Sequence, residues 1–206
     1  MSSKKICLGN NSKKWISCTV SDAAARQAHL SSLQIMKVRQ KYRGYEKDPA
    51  WSKGMLRNEA MPIEVGFIGE IAFASVMQVY FPKFPAADLE PKKSHDKGID
   101  FHFLGRAFDV KTAVRMDGVP FIRKDKIAPE SIYIFAGACG DLRTVYIKGW
   151  LRGSEALERG IEKRGTKKAC KKVWFNRWYD IDELNHVGDL IHRMKMHERK
   201  LRQART

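Results

Sequence analysis

The chain has 206 residues, enough for one substantial domain, and its 43% hydrophobic residues, with five Trp and ten Phe, argue against wholesale disorder. Its 39 Lys and Arg exceed its 23 Asp and Glu by 16 charges, which favours a polyanionic partner. Nucleic acid is the first candidate, and an anionic membrane surface or a merely basic soluble protein are the alternatives.

The cysteines and the start of the chain bear on location. The four cysteines form no CxxC pair, which argues against a zinc site or a dense disulfide framework and favours reduced thiols. The basic start lacks the apolar run of a signal peptide, and nothing approaches the ~18 consecutive apolar residues of a transmembrane helix. We therefore expect a soluble, cytoplasmic protein without a membrane partner.

A first helix is predicted after an irregular segment, residues 1–20. Ser21 or Asp22 can cap its start, and Gly44 can end it. Apolar residues recur on one face at helical spacing, although a serine interrupts them. The polar segment that follows, residues 45–61, predicts a connection.

A second, more apolar helix is predicted to begin at Pro62 and to stop at Pro82. Its apolar residues form one stripe, with Gly66 and Gly69 on a neighbouring face that allows close packing. Glu70 falls within the stripe itself, which is an unusual place for a carboxylate.

The stretch KGIDFHFLGRAFDVKTA, residues 97–113, alternates like a half-buried hairpin. A two-residue turn at Gly105-Arg106 would make Leu104 face Ala107. Because side chains alternate across a strand, one face then becomes an unbroken apolar surface of Ile99, Phe101, Phe103, Phe108 and Val110.

The opposite face of this hairpin gathers polar residues. In the same register Asp100 faces Lys111, and the diagonal pair of Asp100 and Asp109 lies about 7–8 Å apart at the backbone. His102 faces Asp109 and is a candidate accessory residue, or else a partly exposed filler.

Converging carboxylates repel one another unless a cation stands between them. A hard ion such as Mg²⁺ prefers oxygen ligands, and a neighbouring lysine can hold the attacking water or stabilise charge on a phosphate. The parts for metal-assisted phosphodiester hydrolysis are therefore present. The alternative is a surface ion pair worth about 0–1 kcal/mol.

Further elements are predicted in the second half of the chain. Two strands, Ser131–Ala138 and Arg143–Trp150, are joined through a turn at Gly140-Asp141. A final helix is predicted from Ile181 to Arg202, and its end is predicted to be a frayed basic tail.

A basic run from Arg164 is followed directly by aromatic residues at 174–179. Basic groups interleaved with aromatic rings suit phosphate contacts and base stacking, although aromatic residues at this density more often belong to a core. The candidate nucleic-acid-binding residues are Lys167, Lys168, Lys171, Lys172 and Arg177.

These residues together resemble the PD-(D/E)XK nuclease superfamily. The matching elements are Gly66–Glu70 on the helix, Gly98–Asp100 on the first strand and Asp109–Lys111 on the second, and 145–150 resembles a later core strand. One departure is Ile99, which stands where the family's name implies proline. The resemblance implies an α/β (α+β) protein with the restriction-endonuclease-like fold, a mixed central sheet flanked by helices.

The resemblance also implies a nuclease that hydrolyses DNA phosphodiester bonds with metal-activated water. Asp100 and Asp109 would bind Mg²⁺, for which Mn²⁺ can substitute, and the Val110 carbonyl and Glu70 would add ligands. Lys111 would act on the attacking water, which makes Glu70, Asp100, Asp109 and Lys111 the implied catalytic set. The alternatives are an inactive DNA-binding protein on the same fold and an RNA-binding basic protein.

The domain organisation follows from this match. We expect a basic N-terminal helical extension over residues 1–62, a nuclease core over 63–150, and a basic, aromatic-rich C-terminal extension over 151–206 packed on the same domain. Cleavage of both strands by one such site would favour a homodimer. The small size and basic extensions would suit a phage or mobile-element protein.

Overall fold

A computed structural model describes most of the chain. It covers residues 15–43, 49–90, 98–116, 118, 121–167 and 172–204, with side chains described except at 38–43, 49–60, 164–167 and 172–174. Within these residues the fold is mixed α+β, with a curled mixed sheet and flanking helices. The expected α/β class is therefore confirmed.

Strands and helices follow one another along the chain, with short 3-10 turns at Lys124–Lys126 and Ile181–Glu183. They are β1 (Ile16–Thr19), α1 (Asp22–Arg43), α2 (Pro49–Tyr80), β2 (Phe101–Phe103), β3 (Arg106–Ala113), β4 (Phe121–Arg123), β5 (Ile132–Ala138), β6 (Thr144–Arg152), α3 (Gly153–Glu158), β7 (Ile161–Lys167), β8 (Lys172–Trp178) and α4 (Val187–Gln203). The two strands predicted in the middle of the chain are confirmed as β5 and β6.

Five strands form the central sheet in the order β1-β6-β5-β3-β2. Strands β3 and β5 are parallel, and all other neighbours in this sheet are antiparallel. The edge strand β1 lies within residues 1–20, so the prediction that this segment is irregular is wrong for Ile16–Thr19. Four residues are too few for an alternating pattern to be recognised in the sequence.

The two long helices differ in how well the sequence predicted them. Ser21 caps α1 as expected, since its Oγ accepts a hydrogen bond from the N–H of Ala24 at 3.3 Å. Helix α2 begins at Pro49, so the predicted connection over residues 45–61 is wrong from that residue onwards. Pro62 lies inside α2, where it removes one helical hydrogen bond but is exposed. The expected boundary at residue 62 therefore falls within a continuous helix.

Helix α2 packs on one face of the central sheet and is buried on more than one side. The predicted apolar stripe is buried or partly buried at Ile63, Phe67, Ile71, Ala74 and Phe81. Residues outside the stripe are buried as well. The ring of Phe73, for example, lies 5.9 Å from that of Phe108 on β3. The main core therefore lies between α2 and the face of β3 that carries Phe108.

One segment of α2, Met61–Tyr80, is long and apolar enough to cross a membrane by length and composition. Half of this segment is buried inside the fold, as in the core helix of a soluble protein.

A second, three-stranded sheet, with the order β4-β8-β7, covers the other face of β5 and β6. It packs through a separate apolar cluster made of Ile122, Tyr133, Phe135, Leu151, Ala156 and Tyr179. The strands β7 and β8 lie in the predicted C-terminal extension, where the sequence indicated no strands because basic residues interrupt the alternation.

Helix α4 closes the main core from the C-terminal side. Its buried residues are Val187, Leu190, Ile191 and Met194. The helix begins after the short turn at Ile181–Glu183 and continues to Gln203, so the predicted frayed tail is wrong over this range. The Arg202–Glu198 ion pair at 2.8 Å supports its last turn.

Candidate active site

The β2–β3 hairpin turns at Leu104-Gly105, and the predicted turn at Gly105-Arg106 is wrong. Both turn residues have positive φ, 48° for Leu104 and 71° for Gly105. A primed two-residue turn requires this conformation, and glycine adopts it readily. Leucine rarely does, and for that reason the sequence did not indicate it.

The observed register changes the predicted partners but not the faces. His102 pairs with Ala107 instead of Asp109. Asp100 lies just before the first residue of β2 and outside the ladder, so the predicted pairing with Lys111 does not form. The two registers differ by two positions, and since side chains alternate with a period of two, each one keeps its face.

Strand β3 separates polar from apolar side chains as predicted. Phe108 and Val110 belong to the main core beneath α2. Asp109 lies alongside Tyr133 of the parallel strand β5, and Lys111 lies alongside Phe135, on the face that the small sheet covers. A charged pair is therefore set into an otherwise apolar layer.

Asp109 and Lys111 form an ion pair on this face, in which the Lys111 Nζ donates to the Asp109 Oδ1. The Asp109 side chain is 6% exposed and that of Lys111 is 34% exposed. Burial alone would lower the pKa of Lys111, but the carboxylate of Asp109 and, more weakly, that of Asp100 raise it above its usual value. The lysine is therefore held as an ammonium group.

The carboxylate of Asp100 replaces a main-chain acceptor beside β3. Its Oδ2 accepts a hydrogen bond from the N–H of Val110 at 2.6 Å. The N–H of Asp100 donates to the carbonyl of Phe108 at 2.8 Å. These two bonds hold Asp100 next to the segment that carries Asp109 and Lys111.

Gly98 approaches the second oxygen of Asp109. A Cβ atom at Gly98 would lie 3.4 Å from the Asp109 Oδ2, and the φ of Gly98 is 77°. The positive φ favours glycine here. The short sequence Gly98–Asp100 thus brings its backbone to Asp109 and its carboxylate to the N–H of the next residue, Val110.

No family model, curated protein or solved structure matches the chain. The chemistry of the site therefore rests on its geometry.

The glycines of α2 set how closely this helix approaches β3. A Cβ atom at Gly69 would lie 1.8 Å from the Thr112 Oγ1, so the predicted close packing is confirmed there. Such an atom at Gly66 would have no described neighbour within 4 Å, so the same prediction is wrong for Gly66. Glu70, directly after Gly69, is half-buried.

The oxygen donors at Asp100 and Asp109 suit a hard divalent cation. The two carboxylates bring two negative charges, and Lys111 offsets one of them. Mg²⁺ is often bound by only one or two carboxylates, with water and phosphate completing its shell. Among the described residues no three His, Cys, Asp or Glu side chains converge to hold a metal. The participation of Glu70 and of the Val110 carbonyl thus stays a prediction.

A cavity of about 360 Å³ opens beside Lys111. It lies between Gly66 of α2, the end of β3 and the segment from Phe121 to Lys126. Arg123 and Lys126 line it, and sequence reasoning missed both because the segment is short and far from the aspartates along the chain. The cavity therefore places further cations within reach of a ligand at Lys111.

The predicted nucleic-acid-binding residues are only partly described. Lys168 and Lys171 lie outside the described residues. Lys167 and Lys172 pair with each other at the end of the β7–β8 hairpin. Arg177 is 18% exposed, and its side chain donates to the carbonyl of Gly160 at 3.2 Å. Their role in binding stays a prediction.

Proposed function

We propose that the protein is a Mg²⁺-dependent nuclease that hydrolyses DNA phosphodiester bonds, built on the restriction-endonuclease-like fold of the PD-(D/E)XK superfamily. The observation that carries the proposal is the buried Asp109–Lys111 pair on β3, with the Asp100 carboxylate bound to the intervening N–H of Val110. A pair serving stability alone would not need a second carboxylate beside it or an open cavity at the lysine.

From these contacts we assign a role to each residue of the site. Asp100 and Asp109 would hold Mg²⁺, or Mn²⁺ in its place, with Glu70 and the Val110 carbonyl as further ligands. The bound ion would supply Lewis acidity and a water of lowered pKa. Asp109 orients the ammonium group of Lys111, which positions the attacking water or offsets charge on the phosphate.

The cavity beside Lys111 supplies the place for the substrate phosphate. Arg123 and Lys126 line it and would bind phosphate oxygens. Arg123 also forms an ion pair with Asp125 at 2.5 Å, which restricts its side chain. His102 is exposed on β2 and is proposed only as an accessory residue.

The topology supports the proposed fold in its main features and departs from it in one. Helix α2 precedes the β2–β3 hairpin, and β3 runs parallel to β5 in a mixed sheet. The described residues between β5 and β6 contain no α-helix, although the resemblance to the superfamily implies one between the last two core strands. Cleavage of both strands by one such site would favour a homodimer.

The test is cleavage of supercoiled plasmid DNA with Mg²⁺ or with EDTA. We compare the wild type with Asp109→Asn and Lys111→Met, and use Lys163→Met, an exposed lysine on β7, as a matched control. We expect both site variants to lose about 100-fold or more in rate, since each removes a group that acts in the transition state. EDTA should abolish cleavage, and the control should cut like the wild type.

Intact plasmid under every condition would contradict the nuclease proposal. Retained binding to the same DNA would then favour the inactive DNA-binding protein. Clearly tighter binding to RNA than to DNA duplexes would favour the RNA-binding basic protein.

A further inference from the structure

A second cavity, of about 460 Å³, lies between α4 and the ends of β5 and β6. Its walls carry a group of cationic side chains from three separate parts of the chain, Arg106, Arg152, Arg193 and Lys200. His192 and His197 also line it, and Glu130 is the single carboxylate among the lining residues. We call this cavity the basic cleft.

The four cations of the basic cleft form no ion pairs within the described part of the chain. Other arginines nearby do, since Arg202 pairs with Glu198 at 2.8 Å and Arg159 with Glu155 at 3.3 Å. Like charges around one concavity repel, and low-dielectric walls strengthen the resulting field. An anion bound in the cleft would remove this repulsion.

One of the cations is held in position by the core. The guanidinium of Arg193 lies over the ring of Trp150, 5.6 Å from its centroid. Trp150 is 2% exposed, and its Nε1 donates to the carbonyl of His186 at 3.0 Å. A fixed indole thus presents the arginine to the cleft, which lowers the entropy lost when a ligand binds.

The basic cleft and the candidate active site lie on opposite faces of the sheet. Trp150, on the floor of the cleft, belongs to the main core beneath the helices. Asp109 and Lys111 lie on the face that the small sheet covers. The cleft is therefore a separate site and not an extension of the nuclease centre.

We propose that the basic cleft binds a phosphate-bearing ligand, either a free nucleotide or the phosphate of a nucleic-acid strand. Guanidinium groups match phosphate oxygens in a bidentate geometry, and three of the four cations are arginines. The cavity volume is in the range of small-molecule sites. The proposal does not depend on catalysis at Asp109.

The test measures binding in EDTA, where the proposed nuclease is inactive. The probes are inorganic phosphate, ADP and a fluorescent, 5′-phosphorylated single-stranded oligonucleotide. The cleft variant is Arg193→Gln/Lys200→Gln, and the matched control is Lys195→Gln/Arg199→Gln, which removes the same charge from exposed positions of α4 outside the cleft. Thermal unfolding confirms that both variants fold.

We expect the cleft variant to bind ADP or the oligonucleotide about tenfold or more weakly than the wild type, and the control to change little. For the oligonucleotide, the plot of log affinity against log salt concentration should be less steep in the cleft variant, by about 1.4, because two cations that contact phosphates are removed. Cleft-dependent binding of ADP identifies a nucleotide site, and cleft-dependent binding of the oligonucleotide alone identifies a strand site.

Equal weakening in both variants, or in neither, would overturn the proposal, because binding would then reflect overall charge. Adding Arg193→Gln/Lys200→Gln to Asp109→Asn should weaken binding of these probes by the same factor as it does in the wild type. The cleft result can therefore be read even if the nuclease proposal fails.

Discussion

The candidate active site and the basic cleft are both charged concavities on the same sheet, but they balance charge in opposite ways. In the candidate active site, Lys111 is paired with Asp109 and lies near Asp100, so these three groups together carry one negative charge. In the cleft, four cations face one carboxylate, Glu130. The negative charge of the first group favours a bound cation, and the positive charge of the second favours a bound anion.

Burial accounts for this difference. Asp109 is 4% exposed, and a carboxylate so deeply buried requires a partner inside the fold. Arg152, Arg193 and Lys200 are exposed, so water can solvate them until a ligand arrives. Charge that is needed for the fold is therefore paired, whereas charge that is available to a ligand lies near solvent.

The difference in charge balance is tested most directly by removing one charge from each region. Asp109→Ala should lower the free energy of unfolding by about 1–3 kcal/mol, because it leaves Lys111 without its partner in a half-buried place. Lys200→Met should leave the stability unchanged within about 0.5 kcal/mol, because Lys200 is exposed and forms no ion pair with the residues that the structure describes. Urea unfolding measures both.

Removing the Lys111 charge as well should recover part of the stability that Asp109→Ala loses. The double variant Asp109→Ala/Lys111→Met should be more stable than Asp109→Ala alone, since it removes the unpaired ammonium group. Equal losses for Asp109→Ala and Lys200→Met would show that the two regions do not differ in internal charge balance.

A second prediction concerns the packing that holds β3 in place. Gly69→Ala should destabilise the protein by about 1–3 kcal/mol, because its Cβ would collide with Thr112. Gly66→Ala is the matched control on the same helix and should gain about 0.5–1 kcal/mol, because its Cβ enters open space and alanine favours the helix. A loss of stability in both variants would mean that the helix does not tolerate alanine at either position, and that the contact with β3 is not the cause.

The sequence predicted the elements with strong local patterns. Helix α1 has a capping serine and a clear start, and β5 and β6 are apolar runs bounded by turn residues. The polar face of β3 was also predicted despite the wrong turn, because an error of two positions preserves alternation.

The remaining features depend on tertiary packing. The positive φ of Leu104 and the continuation of α2 through Pro62 contradict local propensity, and packing of the surrounding elements overrides it. The basic cleft joins Arg106, Arg152 and Arg193 from a hairpin, a strand and a helix. No pattern along the chain relates them, so only the fold could place them together.

The last and smallest predicted effect concerns the link between the two regions. The His197 Nε2 lies 3.1 Å from the carbonyl oxygen of Leu104, so α4, which lines the cleft, contacts the turn of the hairpin that leads into the candidate active site. His197→Ala should reduce stability by about 0.5–1.5 kcal/mol through loss of this hydrogen bond. It should also speed amide hydrogen exchange in the turn. His192→Ala is the control, since His192 lines the same cleft without a described contact to the hairpin. If both variants leave exchange in the turn unchanged, the two regions are independent; if only His197→Ala accelerates it, occupancy of the cleft has a physical route to the hairpin.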